Sequence, residues 1–219
     1  MPAGLVGAYG THIALYSVFQ KRERIVITLT KEEQHEIAQR LSEVKTEIEF
    51  RNRAILMIGL KMGLRSCDIV KLRTSNINWE RQTIKIVQQK TLCEIEVPMP
   101  TEVGNAIYLY LKNRKTNSET LFIKTRMPFN SVTESVCDKA LKKALPDRNV
   151  SGSGFHVTRR TFATEQLNNN VKKNVISDLL GHKSKEQLMK YLNLDSDRMF
   201  LCPLSLEETS LCMEVKRYD

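Results

Sequence analysis

"RAILMIGLKMGLRSCDIVKL", residues 53 to 72, decides how the rest of the chain is read. From Ala54 to Met62 the run is apolar on almost every side of a helix, with only Lys61 charged. A helix without a polar face belongs inside a core. Gly63 stops it, because glycine accepts the left-handed backbone that closes a helix C-terminus. Ser66 then offers a cap for a second short helix, "CDIVKL", which leaves Arg65 in the tight connection between the two with an acid, Asp68, three residues on.

Upstream, in "VITLTKEEQHEIAQRL", Thr30 and Glu33 stand at capping-box spacing and open a further helix. Downstream, "QTIKIVQQ" and "CEIEVPM" alternate as strands do, with Ile84 and Ile86 on one side and Ile95 and Val97 likewise. The short polar "KTL" between them makes a hairpin with Lys90 at or near its tip. Further helices are signalled at "TEVGNAIYLYLKNR", at "SVTESVCDKALKKAL" with Ser131 and Glu134 as a capping box, at "VTRRTFATEQLNN" and at "KNVISDLLG". Ser184 and Gln187 form one more box, at the start of a helix carrying Tyr191. The expected fold class is therefore mainly α (α+β), with a small antiparallel sheet at one edge. Residues 1 to 24 show no clean period and read as a linker or extension, residues 25 to 200 as the main folded unit, and residues 201 to 219 as a tail. Its apolar Leu204, Leu206, Leu211 and Val215 suit docking on a neighbouring protomer or packing on its own domain.

The 219 residues are 41% hydrophobic and carry 34 Lys and Arg against 25 Asp and Glu, a net charge of +9. The excess is uneven. Residues 139 to 190 hold eleven basic and four acidic side chains, so most of it lies in about a quarter of the chain. Such a balance suits a polyanionic partner, although a solvated basic face explains a charge excess equally well. Five cysteines (67, 93, 137, 202 and 212) are odd in number and scattered, without a Cys-x-x-Cys pair, which argues against a disulfide framework or structural zinc and for a reducing, cytoplasmic setting. Residues 2 to 19 are interrupted by Thr11, His12 and glycines and are followed, not preceded, by "KRER", so they read as neither a signal peptide nor a membrane span.

Taken singly, the chemically capable residues have plain explanations. Tyr191 lies at helical spacing from Leu188 and Leu192 and would serve as a packing residue; His156 and His182 could be core or capping histidines; Lys90 could be an ordinary turn lysine. "CDIVKLR" satisfies C-x5-R, a phosphatase signature, but its apolar residues read as helix rather than as a phosphate loop. "SGSGF" is only part of a dinucleotide-binding glycine pattern and follows no clear strand.

The order of these residues is more specific than any of them. Arg65 in "GLRSCDIVKL", Lys90 in "QQKT", His156 and Arg159 as H-x-x-R in "HVTRRTFAT", His182 in "LLGH" and Tyr191 nine residues later resemble the tyrosine recombinases, the phage integrase family. The resemblance runs from about residue 28 to about residue 205. It departs from the usual leucine-arginine-histidine run at Thr158 and Arg160, which stand in the places of the leucine and the histidine while Arg159 matches, and this is expected to loosen packing at Thr158 and to bring Arg160 to the DNA backbone. The helical core-binding domain that such proteins usually carry in front does not fit into the first 24 residues, so the chain reads as a catalytic domain or fragment.

The resemblance implies a helical DNA breaking-rejoining domain with Arg65, Lys90, His156, Arg159, His182 and Tyr191 as catalytic residues and Arg160 and Lys183 on DNA. The expected activity is site-specific recombination or integration, within a mobile genetic element or a chromosome-maintenance system. Tyr191 would attack a phosphodiester to give a 3′-phosphotyrosyl link and a free 5′ hydroxyl, which stores the bond and makes ATP, cofactor and metal unnecessary. Because a phenol has a pKa of about 10, its attack needs a base or a strongly cationic pocket. Arg65 and Arg159 would grip the non-bridging oxygens, His182 would add a donor, His156 would handle the phenol's proton or the phosphate contact, and Lys90 would protonate the leaving oxygen. The implied partners are double-stranded DNA, a homo-tetramer formed on it, and an accessory DNA-bending protein. Two rivals share these residues: a DNA-binding relative that no longer cuts and acts as a regulator, and a type IB topoisomerase-like enzyme that only relaxes supercoils.

Overall fold

The computed structural model describes residues 27–90, 92, 94–148 and 154–181. Within them seven α-helices and one three-stranded sheet are ordered as α1 (Lys31–Ser42), α2 (Glu47–Met62), α3 (Ser66–Ile69), β1 (Ile77–Asn78), β2 (Thr83–Val87), β3 (Glu94–Pro98), α4 (Thr101–Asn113), α5 (Ser135–Ala144), α6 (His156–Asn168) and α7 (Lys173–Leu180). The mainly helical fold with a small antiparallel sheet is the one expected. The 1–24 extension, the 201–219 tail and the helix expected after Ser184 lie outside the described residues.

The helix read from Ala54 to Met62 is the centre of the core. Ala54, Ile55, Leu56, Ile58 and Met62 are at most 1% exposed, and α4, α5 and α6 all pack on α2. It starts earlier than its apolar run, at a capping box in which Thr46 Oγ1 accepts from Glu49 N while Glu49 Oε2 accepts from Thr46 N. Gly63 ends it at φ +64, as expected of a C-cap glycine. Where α6 crosses, the backbones come close: a Cβ on Gly59 would stand 2.8 Å from Thr158 Oγ1 and 2.9 Å from a ring carbon of Phe155.

That crossing corrects the expectation for Thr158. Its side chain is wholly buried and its hydroxyl donates to the Phe155 carbonyl at 2.8 Å, so the polar atom is satisfied within its own helix and the methyl is left to pack. Two cap expectations also fail. Ser66 is the first residue of α3 rather than its cap, and its hydroxyl donates to Glu134 at 2.8 Å. Ser131 lies well ahead of α5, where its hydroxyl donates to the Val70 carbonyl at 2.8 Å. The Thr30–Glu33 box is present on α1.

The hairpin forms in the expected register, Ile84 opposite Val97 and Ile86 opposite Ile95, which places one face on the core. A short β1 extends it on the β2 side, Ile77 facing Ile84. β3 is thus the other edge, and α7 lies against it. No described helix is long and apolar enough to cross a membrane.

Candidate active site

Four separate segments meet beside the end of α2. The left-handed turn at Gly63 sends the chain from α2 through buried Leu64 into Arg65, which has extended backbone (φ −75, ψ 149) and precedes α3. Its guanidinium is therefore held in the protein, with the residue 8% exposed. From α6 comes Arg159, 4% exposed, donating from Nη1 to the Gly63 carbonyl at 2.9 Å and from Nη2 to the Leu180 carbonyl at 2.8 Å. The last carbonyls of a helix lack partners within it; Leu180 ends α7, so Arg159 satisfies one of them and fastens α6 to α7. Gly181 then turns the chain at φ +60.

The hairpin supplies the remaining contact. Gln88, wholly buried, accepts from Arg65 Nη1 at 2.6 Å through Oε1 and donates to the Leu180 carbonyl at 3.0 Å through Nε2. The two arginines are thereby joined through one amide and one carbonyl. Asp68 is also buried, with Oδ1 accepting from the Gln89 amide at 2.9 Å and Oδ2 lying 3.8 Å from Arg65 Nη1. It balances part of the positive charge and pins the turn in which Lys90 stands exposed.

His156 opens α6 one turn before Arg159. Its pKa lies below 6.5, first because protein around the ring disfavours the charged form and then because of the positive fields of Lys90, Arg159, Arg160 and Arg65. The residue as a whole is exposed. Arg160 follows Arg159 on α6, and Lys90 stands two residues beyond Gln88 on the hairpin turn. The result is a buried arginine pair with further cations nearby in the chain, a charge suited to an oxyanion with several oxygens. Among the described residues no group of His, Cys, Asp or Glu is arranged to hold a metal ion.

Of the residues expected from sequence, Arg65 and Arg159 are joined here through Gln88 and the Leu180 carbonyl, and Lys90, His156 and Arg160 stand on the adjoining turn and helix; His182, Lys183 and Tyr191 lie outside the described residues. Sequence reasoning missed Gln88. A buried polar residue at the end of an alternating strand, two before the lysine, was the available signal, but its neighbour Gln89 carries the same side chain and is exposed.

The model of the phage integrase family matches residues 28–198. The y4gC protein of Sinorhizobium fredii, whose name assigns it provisionally to the integrase/recombinases, is 32% identical over 172 residues, covering 76% of this chain and 88% of that one. Tyrosine recombinase XerA of Thermococcus onnurineus is 27% identical over 172 residues, covering 78% of this chain and 60% of that one. Among solved structures, that of XerA recombinase superposes with a TM-score of 0.65 at 24% identity, over 79% of this chain and 62% of its own. That of XerH bound to palindromic difH after cleavage gives 0.67 at 20%, over 84% and 54%. These two show the shared fold, and the chain spans 54% to 62% of the length of these two and of the Thermococcus XerA.

Proposed function

The chain belongs to the phage integrase family, and from that premise we propose that it is the catalytic domain of a site-specific DNA recombinase that cuts and rejoins strands through Tyr191. One observation carries the reading: Arg65 and Arg159, far apart in sequence, are buried side by side through Gln88 and the Leu180 carbonyl. Two guanidiniums fixed before substrate arrives can stabilise a phosphorane as charge builds on its oxygens, without reorganising at that moment. This is the electrostatic work that metal pairs do in many nucleases.

The Tyr191 oxygen attacks phosphorus, the bond to the 5′ oxygen breaks, and the phosphate stays on the tyrosine through the 3′ side. His156, held neutral, accepts the phenol's proton, and Lys90 on the exposed hairpin turn gives one to the 5′ oxygen. His182 adds a donor to the phosphate. Reversal of the same steps on a new 5′ hydroxyl rejoins the strand, so ATP and metal are not consumed or required. Arg160 and Lys183 hold the flanking backbone. On DNA four copies work together, and the bound accessory protein, where one is used, bends the duplex between sites. The protein acts in the cytoplasm, on a mobile element or a chromosome.

The test is a pool of nicked duplexes with randomised sequence around the nick, which traps a cleaved strand on the protein. A covalent band on a denaturing gel, absent in Tyr191→Phe, is expected. No band from the unaltered protein, or an undiminished band from Tyr191→Phe, rejects the reading.

A further inference from the structure

We propose that Gln88 is a positioning residue for the cleavage step: its side-chain amide sets the orientation of Arg65 relative to Arg159, and so governs the rate of reaction rather than the hold on DNA. The inference rests on the reading of the site given above. Gln88 follows β2 directly, and its backbone carbonyl closes the turn by accepting from Leu92 N at 2.8 Å. Its side chain is 0% exposed, which for a primary amide is tolerable only when its polar atoms are satisfied. Its partners include one donor and one acceptor, Arg65 Nη1 at 2.6 Å and the Leu180 carbonyl at 3.0 Å. Only one of the two amide orientations serves both, oxygen towards the arginine and nitrogen towards the carbonyl.

The Leu180 carbonyl also receives Arg159 Nη2 at 2.8 Å. A single oxygen is thus the shared reference for both guanidiniums, direct for one and through Gln88 for the other. Space for this arrangement depends on Gly181, since a Cβ there would lie 2.6 Å from Gln88 Cδ and Nε2. Gln88 therefore reads three segments at once: the connection carrying Arg65, the end of α7 that leads into His182, and the turn that carries Lys90 two residues on.

Neutrality is the second part of the argument. A carboxylate in this place would hold Arg65 more strongly but would cancel the charge the phosphate needs, and an apolar side chain would leave the guanidinium to choose its own rotamer. An amide fixes direction and leaves the cation available. A small misplacement of a group that acts on the transition state can cost about 100-fold in rate.

Gln88→Met keeps the bulk against Gly181 and removes the hydrogen bonds to Arg65 and to the Leu180 carbonyl. With a duplex selected from the randomised nicked pool, single-turnover formation of the covalent band is expected to fall about 100-fold, while the affinity for the same duplex, measured without the nick, changes by less than about twofold. Arg65→Lys should cost distinctly less in the Gln88→Met background than in the unaltered protein, because its orientation has already been lost. Should Gln88→Met fail to fold, Gln88→Glu retains a partner for Arg65 and is expected to slow cleavage at least tenfold by neutralising it. Unaltered rates in either variant, equal losses of rate and affinity, or strictly additive effects with Arg65→Lys overturn the assignment of Gln88 while the unaltered protein still forms its band. If the unaltered protein forms no band, the reading of the site itself falls, and this inference with it.

Discussion

Arg159 shows why a guanidinium, and not merely a positive charge, is required at the site. Its two Nη groups reach the Gly63 and Leu180 carbonyls simultaneously, a fork that the point charge of lysine cannot reproduce. Arg159→Lys is expected to lower single-turnover cleavage by about 100- to 1000-fold, with a much smaller change in affinity for uncut DNA; an equal loss of both would mean that Arg159 binds DNA without favouring the transition state. His156 yields a pH dependence of known sign. Its pKa in the folded protein is depressed below 6.5, so as pH falls the unfolded chain takes up that proton first. The stability linked to this group is present above 6.5 and is lost as pH falls through the depressed value. Urea unfolding at pH 7 and pH 5 should therefore show a smaller drop in stability for His156→Gln than for the unaltered protein. In the folded enzyme the same depression keeps the imidazole able to accept a proton at neutral pH, so cleavage should decline on the acid side.

Elements were legible where a local rule decides them and illegible where a long-range contact does. Both strands of the hairpin followed from their alternation, and Gly63 from its place after an apolar run. Ser66 and Ser131 carry the residue type and spacing of caps, yet tertiary partners take their hydroxyls, Glu134 for one and the Val70 carbonyl for the other. The Thr46–Glu49 box was overlooked because the apolar run begins a full two turns later. Glu49 nevertheless does much there: the Lys45 amide first, then Lys143 and Thr46, pull its pKa down to about 2. Thr46→Ala is expected to cost about 1 kcal/mol in chemical denaturation, whereas Ser66→Ala, which removes no cap, should cost less. Gly59→Leu meets Phe155 and Thr158 at the α2–α6 crossing and should destabilise by about 1–3 kcal/mol or more through overpacking. A melting temperature unchanged by it would contradict that crossing.

At the scale of the molecule, the fold serves to bring together residues 65, 88 to 90, 156 to 160 and 180 to 181 around the end of one buried helix. The order of Arg65, Lys90, His156, Arg159, His182 and Tyr191 made the meeting of Arg65 and Arg159 an expectation through its resemblance to the tyrosine recombinases, and the remaining roles stay proposals. Gln88 stayed unread because its meaning lies in what it touches, an arginine 23 residues before it and a carbonyl 92 residues after it. The buried arginine pair and the net charge of +9 predict that affinity for DNA falls linearly on a logarithmic salt scale, with a slope close to the number of phosphates contacted. Arg160→Ala should reduce that slope by about one. The central claim is the chemistry of the link itself. Proteolysis of the trapped covalent band followed by mass spectrometry should find the nucleotide remnant on Tyr191, joined through its 3′ phosphate. A remnant on any other residue, or one attached through a 5′ phosphate, would contradict it.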